Sequence, residues 1–89
     1  MTAEQKKLLR DALMAALVTA APVSLPLSTL KSTARAAGFK VDEDELEAHL
    51  HYLTEKELIR QKKERVSAAV KRWEPTAAGI EYAEEEGLV

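Results

Sequence analysis

The side chains best suited to chemistry in this 89-residue sequence are cations crowded into one short segment. Six of them fall within thirteen residues and are followed by the only tryptophan, Trp73: Arg60, Lys62, Lys63, Arg65, Lys71 and Arg72. Cations at this density can lie along a phosphate backbone or enter a minor groove. Charged residues also protect an exposed strand from pairing, and they attract acidic proteins. The segment is therefore a candidate nucleic-acid contact, with edge protection as the alternative.

The charge pattern adds a second basic region and two acidic ones. Residues 1–41 and 58–75 each carry a net charge of +4, whereas residues 42–57 carry −6 and residues 76–89 carry −4. The overall charge of −2 does not exclude nucleic acid, because binding follows local patches. Within the first region, Lys31, Arg35 and Lys40 near the second predicted helix are further candidate nucleic-acid contacts.

The acidic stretch coincides with the third predicted helix. At about 100° per residue, the side opposite Leu46, Leu50 and Leu53 carries acidic residues with a histidine and an alanine: Asp44, Glu47, Ala48, His51 and Glu55. None of the side chains that best read base edges (Arg, Lys, Asn, Gln) is among them. Carboxylates on this face would also repel phosphates. The pattern favours a protein partner for Asp44, Glu47, His51 and Glu55, or simple capping and solvation.

Metal and catalytic chemistry have little support in the sequence. His49 and His51 diverge by about 200° on a helix, and there is no cysteine. The chain has three glycines and no glycine-rich phosphate loop, and no Ser, His and Asp set can be nominated from spacing. We therefore expect no metal, no cofactor and no enzymatic activity.

Hydrophobic periodicity and capping residues predict four helices. The first should run from Ala3 to Ala20, and the second should begin at Pro26 or Ser28 and end before Gly38. Asp42 and Glu45 form the pattern of a capping box for the third helix, which should fade near Lys56 or Glu57. Thr76 should cap a last helix over residues 77–86, and Gly87 should end it.

Extended segments lie between these helices. Val23 and Leu25 suit a short edge strand. A hairpin is predicted from one strand over residues 58–66, a turn at residues 67–69 and a second strand over residues 70–74, with Pro75 as its stop. Trp73 is expected to close the core under this hairpin.

The first helix carries an apolar stripe beyond the one a small core needs. Met14 and Val18 flank the main stripe. They are either packed against the last helix or exposed as the seam of a homodimer, and both interpretations stay open.

These elements predict one α+β, mainly α domain over residues 1–89: three to four helices with a small β-hairpin wing. The stretch from Leu53 to Arg60 resembles the end of the recognition helix and the start of the wing in winged helix-turn-helix regulators of the multiple-antibiotic-resistance and arsenic-repressor types. These share a "Leu, two polar, Lys-Gly-Leu-Ile" pattern, with Glu57 here in place of the glycine. The stretch from Pro75 to Ile80 resembles their Leu-Thr-x-x-Gly helix start, with Pro75 in place of the leucine. The layout of residues 8–86 is also similar to small winged-helix proteins of Mu-like prophages.

The resemblance implies a bacterial or phage-related regulator that binds DNA, controls transcription and works as a dimer. DNA would be contacted mainly through the basic wing. The alternative is a winged-helix protein–protein interaction module that uses the acidic third helix and binds no DNA. The sequence has no secretory signal, and its longest apolar run, residues 12–18, is too short to cross a bilayer, so we expect a cytoplasmic protein with no membrane partner.

Overall fold

Four helices and three strands follow one another in the order α1, β1, α2, α3, β2, β3, α4 in the described residues, 1–62 and 70–89, of the computed structural model. Their bounds are α1 Ala3–Ala20, β1 Leu25–Pro26, α2 Leu27–Ala36, α3 Glu43–Glu55, β2 Ile59–Lys62, β3 Arg72–Pro75 and α4 Ala77–Glu85. The predicted mainly helical α+β architecture is confirmed. No helix in the described ranges has both the length and the apolar character needed to cross a membrane.

The helix starts follow the capping residues. The Asp42 side chain accepts a hydrogen bond from the backbone N–H of Glu45 at 2.8 Å, one of the two bonds of the predicted capping box. The Thr76 hydroxyl accepts from the Gly79 N–H at 3.1 Å and caps α4 as predicted. Helix α2 begins at Leu27 with Pro26 as its N-cap, so a start at Pro26 and the alternative start at Ser28 are each wrong by one residue.

Three helices end on a residue in the left-handed region. Gly38 after α2 has φ +92° and Gly87 after α4 has φ +69°, as glycine readily allows. After α3 the same position is held by Glu57 at φ +61°. Its N–H donates to the Thr54 carbonyl at 2.9 Å and the next N–H donates to the Leu53 carbonyl at 3.1 Å, the bonding of a Schellman motif. Glu57 therefore adopts a glycine-type conformation with a full side chain.

The strands form one antiparallel sheet in the order β1-β3-β2. Central strand β3 places Trp73 between Leu25 of β1 and Gln61 of β2. Strands β2 and β3 are the two sides of the wing (residues 59–62 and 70–75), and Pro75 is the last strand residue rather than a stop beyond it. The predicted turn at residues 67–69, the continuation of β2 to Val66, and candidate contacts Lys63 and Arg65 lie outside the described residues.

The core lies between α1, α2, α3 and the sheet. Its fully buried side chains include Leu9, Leu13, Leu17, Leu30, Leu46 and Leu50. Trp73 is 5% exposed and closes this core, as predicted. Met14 is also fully buried, so its assignment to an interaction seam is wrong: the side chain packs inward, against Gly79 of α4. Val18 is partly buried against the core, and its place in an interface stays a prediction.

Gly79 is required where α4 crosses the turn between α3 and β2. A Cβ at this position would overlap the Leu58 carbonyl oxygen. That carbonyl accepts from the Thr76 N–H at 3.0 Å, and the Thr76 hydroxyl donates to the Glu57 carbonyl at 2.6 Å. The Thr-x-x-Gly sequence thus joins the start of α4 to the end of α3 with no space for a side chain between them.

Candidate nucleic-acid interface

Helices α2 and α3 form a helix-turn-helix, and the wing packs against α3. A groove of about 250 Å³ separates α3 from the wing. Glu47, Leu50 and Thr54 line it from α3, while Gln61 and Lys71 line it from the wing. Helix α3 holds the place that a reading helix has in proteins that enter the major groove.

The outward face of α3 is acidic, as its sequence predicts. Asp44, Ala48, His51 and Glu55 are exposed, and the Glu47 side chain is 40% exposed. His51 Nε2 lies 3.2 Å from a Glu55 oxygen, within one turn. The acids of the first turn also suit the positive end of the helix dipole. This face has no donor of the type that reads guanine or adenine edges.

Two of the wing cations are held by carboxylates of the same chain. Arg60 Nε lies 2.9 Å from an oxygen of Glu74, its register partner on β3. Lys71 Nζ lies 3.6 Å from a Glu47 oxygen, across the groove. Lys62 is exposed and forms no ion pair within the ranges that the structure describes. The charge of Lys62 is therefore exposed and not bound by a carboxylate of the described residues.

Arg72 has a structural role that the sequence does not reveal. Its Nε donates to the Ser24 hydroxyl at 2.9 Å and its Nη2 donates to the Ser24 carbonyl at 2.8 Å. Ser24 is 5% exposed and directly precedes β1. The guanidinium therefore joins the segment before β1 to the wing through two hydrogen bonds. A separation of 48 residues gives no sequence signal for such a contact.

The three cations near α2 meet at one open groove. Lys31, Arg35 and Lys40 line a concavity of about 720 Å³ whose walls include the apolar side chains of Phe39 and Val41. Lys31 Nζ lies 3.9 Å from a Glu43 oxygen, a weak ion pair. Arg35 and Lys40 are exposed and enter no ion pair with the described residues. The structure thus brings together the second set of predicted contacts.

Two clusters beside α1 were missed by sequence reasoning. In the first, Arg10 Nε donates to His49 Nδ1 at 3.2 Å while its guanidinium carbon lies 3.7 Å from the centre of the Tyr52 ring. Burial, with the nearby Arg10 and Lys6 charges, holds the pKa of His49 below its ordinary value. His49 is therefore a neutral acceptor in this contact.

In the described part of the chain, no three His, Cys, Asp or Glu residues are grouped to hold a metal ion.

In the second cluster, Asp11 joins α1 to α4. The Tyr82 hydroxyl donates to one Asp11 oxygen at 2.8 Å, and Lys7 Nζ lies 2.8 Å from the other. Burial and the bond to Asp11 raise the pKa of Tyr82. Asp11 and Tyr82 are 71 residues apart, so no sequence pattern could have paired them.

Comparison with known proteins gives a structural match alone. No family model matches the sequence, and neither does any curated protein. Solved structures do match: Staphylococcus aureus MepR in complex with DNA has a TM-score of 0.78 and 16% identity, over 96% of this chain and 69% of that one. An apo mutant of Lactococcus lactis ZitR has a TM-score of 0.74 and 18% identity, over 96% and 58%.

A MepR mutant from a multidrug-resistant S. aureus clinical isolate has a TM-score of 0.75 and 16% identity, over 86% of this chain and 52% of that one. The chain thus spans little more than half the length of some of the chains it matches. At these identities the likeness concerns architecture, and it agrees with the helix-turn-helix, the wing and the three-stranded sheet described above. The chain has the winged helix-turn-helix fold.

Proposed function

We propose that this protein is a DNA-binding, transcription-regulator-like winged-helix protein that contacts DNA mainly through its basic wing. The observation that supports the proposal is the fold match with MepR bound to DNA, which extends over 96% of this chain. The wing supplies Lys62 and Lys71 from the described residues, and Lys63 and Arg65 lie between them in the sequence. Lys31, Arg35 and Lys40 add a second set of cations beside α3.

The charge distribution indicates how such a protein would bind. Phosphate contacts from lysine and arginine give affinity without reading sequence. The acidic face of α3 makes base contacts by that helix unfavourable, because carboxylates would be brought toward phosphates. We therefore expect binding that falls steeply with salt and depends weakly on base sequence.

The proposal includes a homodimer in the cytoplasm of a bacterium, as the resemblance to phage-encoded and bacterial winged-helix proteins implies. Helix-turn-helix dimers place two reading units on successive turns of the duplex. Leu8 on α1 is 54% exposed and Val18 on the same helix is partly buried, so α1 is the helix that we expect at the seam. Sedimentation at several concentrations would test this part separately.

Fluorescence anisotropy with a labelled mixed-sequence duplex tests the proposed wing contact. The variant Lys62→Ala/Lys63→Ala removes two wing charges, and Lys6→Ala/Lys56→Ala, as a matched control, removes two exposed charges that form no ion pair with the described residues. If each wing lysine neutralises one phosphate, the wing variant should bind on the order of 50-fold more weakly at about 0.1 M salt. The control should bind within about twofold of the wild type. Equal affinities for the two variants would contradict the wing contact.

A protein-interaction module is the second candidate, and the exposed acidic face of α3 is the observation that favours it. Two duplex-binding measurements distinguish these functions, one on a variant with reversed charge at Glu47 and Glu55 and one on the wild type. If the protein binds DNA, Glu47→Lys/Glu55→Lys should bind the duplex more tightly than the wild type. If it is a protein module, the wild type should bind no duplex even at low salt. The wild-type titration therefore separates the two candidates.

A further inference from the structure

Glu47 lies at the groove between α3 and the wing, within the candidate interface. It projects from α3 into the groove beside the wing, where its carboxylate lies 3.6 Å from Lys71 Nζ. The two side chains are 40% and 53% exposed, respectively. The groove walls include Leu50 and Trp73 together with polar side chains, among them Thr54 and Gln61.

In this ion pair the Lys71 ammonium, which a phosphate would need as its partner, is already paired with a carboxylate. A phosphate approaching Lys71 has to displace the Glu47 carboxylate or accept its charge at close range. At such distances two charges interact even in bulk water, and they interact more strongly near a protein surface. The carboxylate therefore opposes DNA by holding the ammonium that would otherwise contact the phosphate.

We propose that Glu47 restrains DNA binding by this fold: its carboxylate holds Lys71 and keeps one phosphate contact unused. The inference rests on the proposed function, because it concerns the affinity of the same interface. Glu47 acts through Lys71 rather than on a base, so it lowers the affinity for every duplex by a similar factor. The acid on the reading helix is thus a determinant of affinity and of its salt dependence.

The test compares Glu47→Gln with Glu84→Gln in the full chain, using a labelled mixed-sequence duplex and anisotropy. Both variants remove one negative charge. Glu84 is exposed on α4 and enters no ion pair with the described residues, so it controls for net charge alone. A third variant, Glu47→Gln/Lys71→Gln, removes the cation that the first releases.

One released phosphate contact has a calculable effect. The slope of log K against log salt should steepen by about 0.9, and Glu47→Gln should bind about eightfold more tightly at about 0.1 M salt. Glu84→Gln should change the affinity by less than about twofold, because exposed charges beyond a Debye length of about 10 Å are screened. The double variant should lose the gain and return to near the wild-type affinity.

The outcomes separate this inference from the function on which it rests. If neither the wild type nor Glu47→Gln binds the duplex at about 20 mM salt, the proposed function is overturned and the inference with it. If the wild type binds but Glu47→Gln gains no more than Glu84→Gln, the inference alone is overturned. A gain that persists in the double variant would also overturn it, because the effect would not act through Lys71.

Discussion

Replacing Glu57 by glycine should stabilise the protein, although it removes a whole side chain. Glu57 is the residue after the α3 C-cap and has φ +61°, the left-handed region that β-carbon-bearing residues avoid. Gly38 and Gly87 hold the equivalent positions after α2 and α4. The Glu57 side chain is exposed and forms no ion pair with the described residues. Its carbonyl bond to Thr76 would remain in the variant.

The magnitude follows from two opposing terms. The left-handed conformation costs an ordinary L-residue about 1–2 kcal/mol, and the variant recovers this amount. Glycine costs about 0.5–1 kcal/mol through the greater freedom of the unfolded chain. The free energy of unfolding of Glu57→Gly should therefore rise by about 0.75 kcal/mol, and by at most about 1.5 kcal/mol. Removing one carboxylate from an acidic stretch acts in the same direction.

Urea unfolding followed by the fluorescence of Trp73 measures the effect, since this tryptophan is buried in the folded state. With a slope of about 1 kcal/mol per M, the midpoint should rise by about 0.75 M, and by at most about 1.5 M. Gly38→Ala is the matched control, because a Cβ there meets no atom within 4 Å and only the backbone conformation is penalised. Its midpoint should fall. A Glu57→Gly midpoint at or below that of the wild type would refute the reasoning.

Three further predictions concern the elements that hold the site. Gly79→Ala should destabilise the protein by more than about 3 kcal/mol because its Cβ overlaps the Leu58 carbonyl, and a loss under about 1 kcal/mol in the same urea assay would contradict that packing. Asp42→Ala should cost about 0.5–2 kcal/mol through loss of the α3 cap, whereas Asp42→Asn should retain most of the stability. The lowered pKa of His49 means that the unfolded chain binds more protons at this residue, so its contribution is present above pH 6.5 and is lost as the pH falls through and below that value. His49→Gln should therefore lose less stability than the wild type between about pH 7.5 and about pH 5.5, and equal losses would contradict the assignment.

The positions of the helices could be predicted because their signals are local. Asp42 with Glu45, Thr76 with Gly79, and Gly38 and Gly87 all act within one turn of the helix that they begin or end. The acidic face of α3 followed from helical periodicity for the same reason. The winged helix-turn-helix architecture then followed from the order of the elements and from two short motifs.

The errors and omissions concern contacts between distant residues. Met14 and Val18 have the same periodicity whether their helix face meets α4 or a second copy, so the sequence left both alternatives open. Arg72 carries the same charge as the other wing cations, yet it binds Ser24 across 48 residues. The ion pair between Glu47 and Lys71 also depends on how closely the wing packs against α3. Charge pattern therefore located the basic segment but could not separate its structural residues from its accessible ones.

The central claim is that this fold binds DNA through phosphate contacts, and the wild-type salt titration tests it most directly. Anisotropy of a labelled mixed-sequence duplex would be measured with the purified protein from about 20 mM to about 200 mM salt. We predict saturable binding at the lowest salt, with log K falling linearly against log salt and a slope of about −2 or steeper, corresponding to two or more phosphate contacts. No binding at about 20 mM salt would contradict the claim and would leave the acidic face of α3 as a surface for a protein partner.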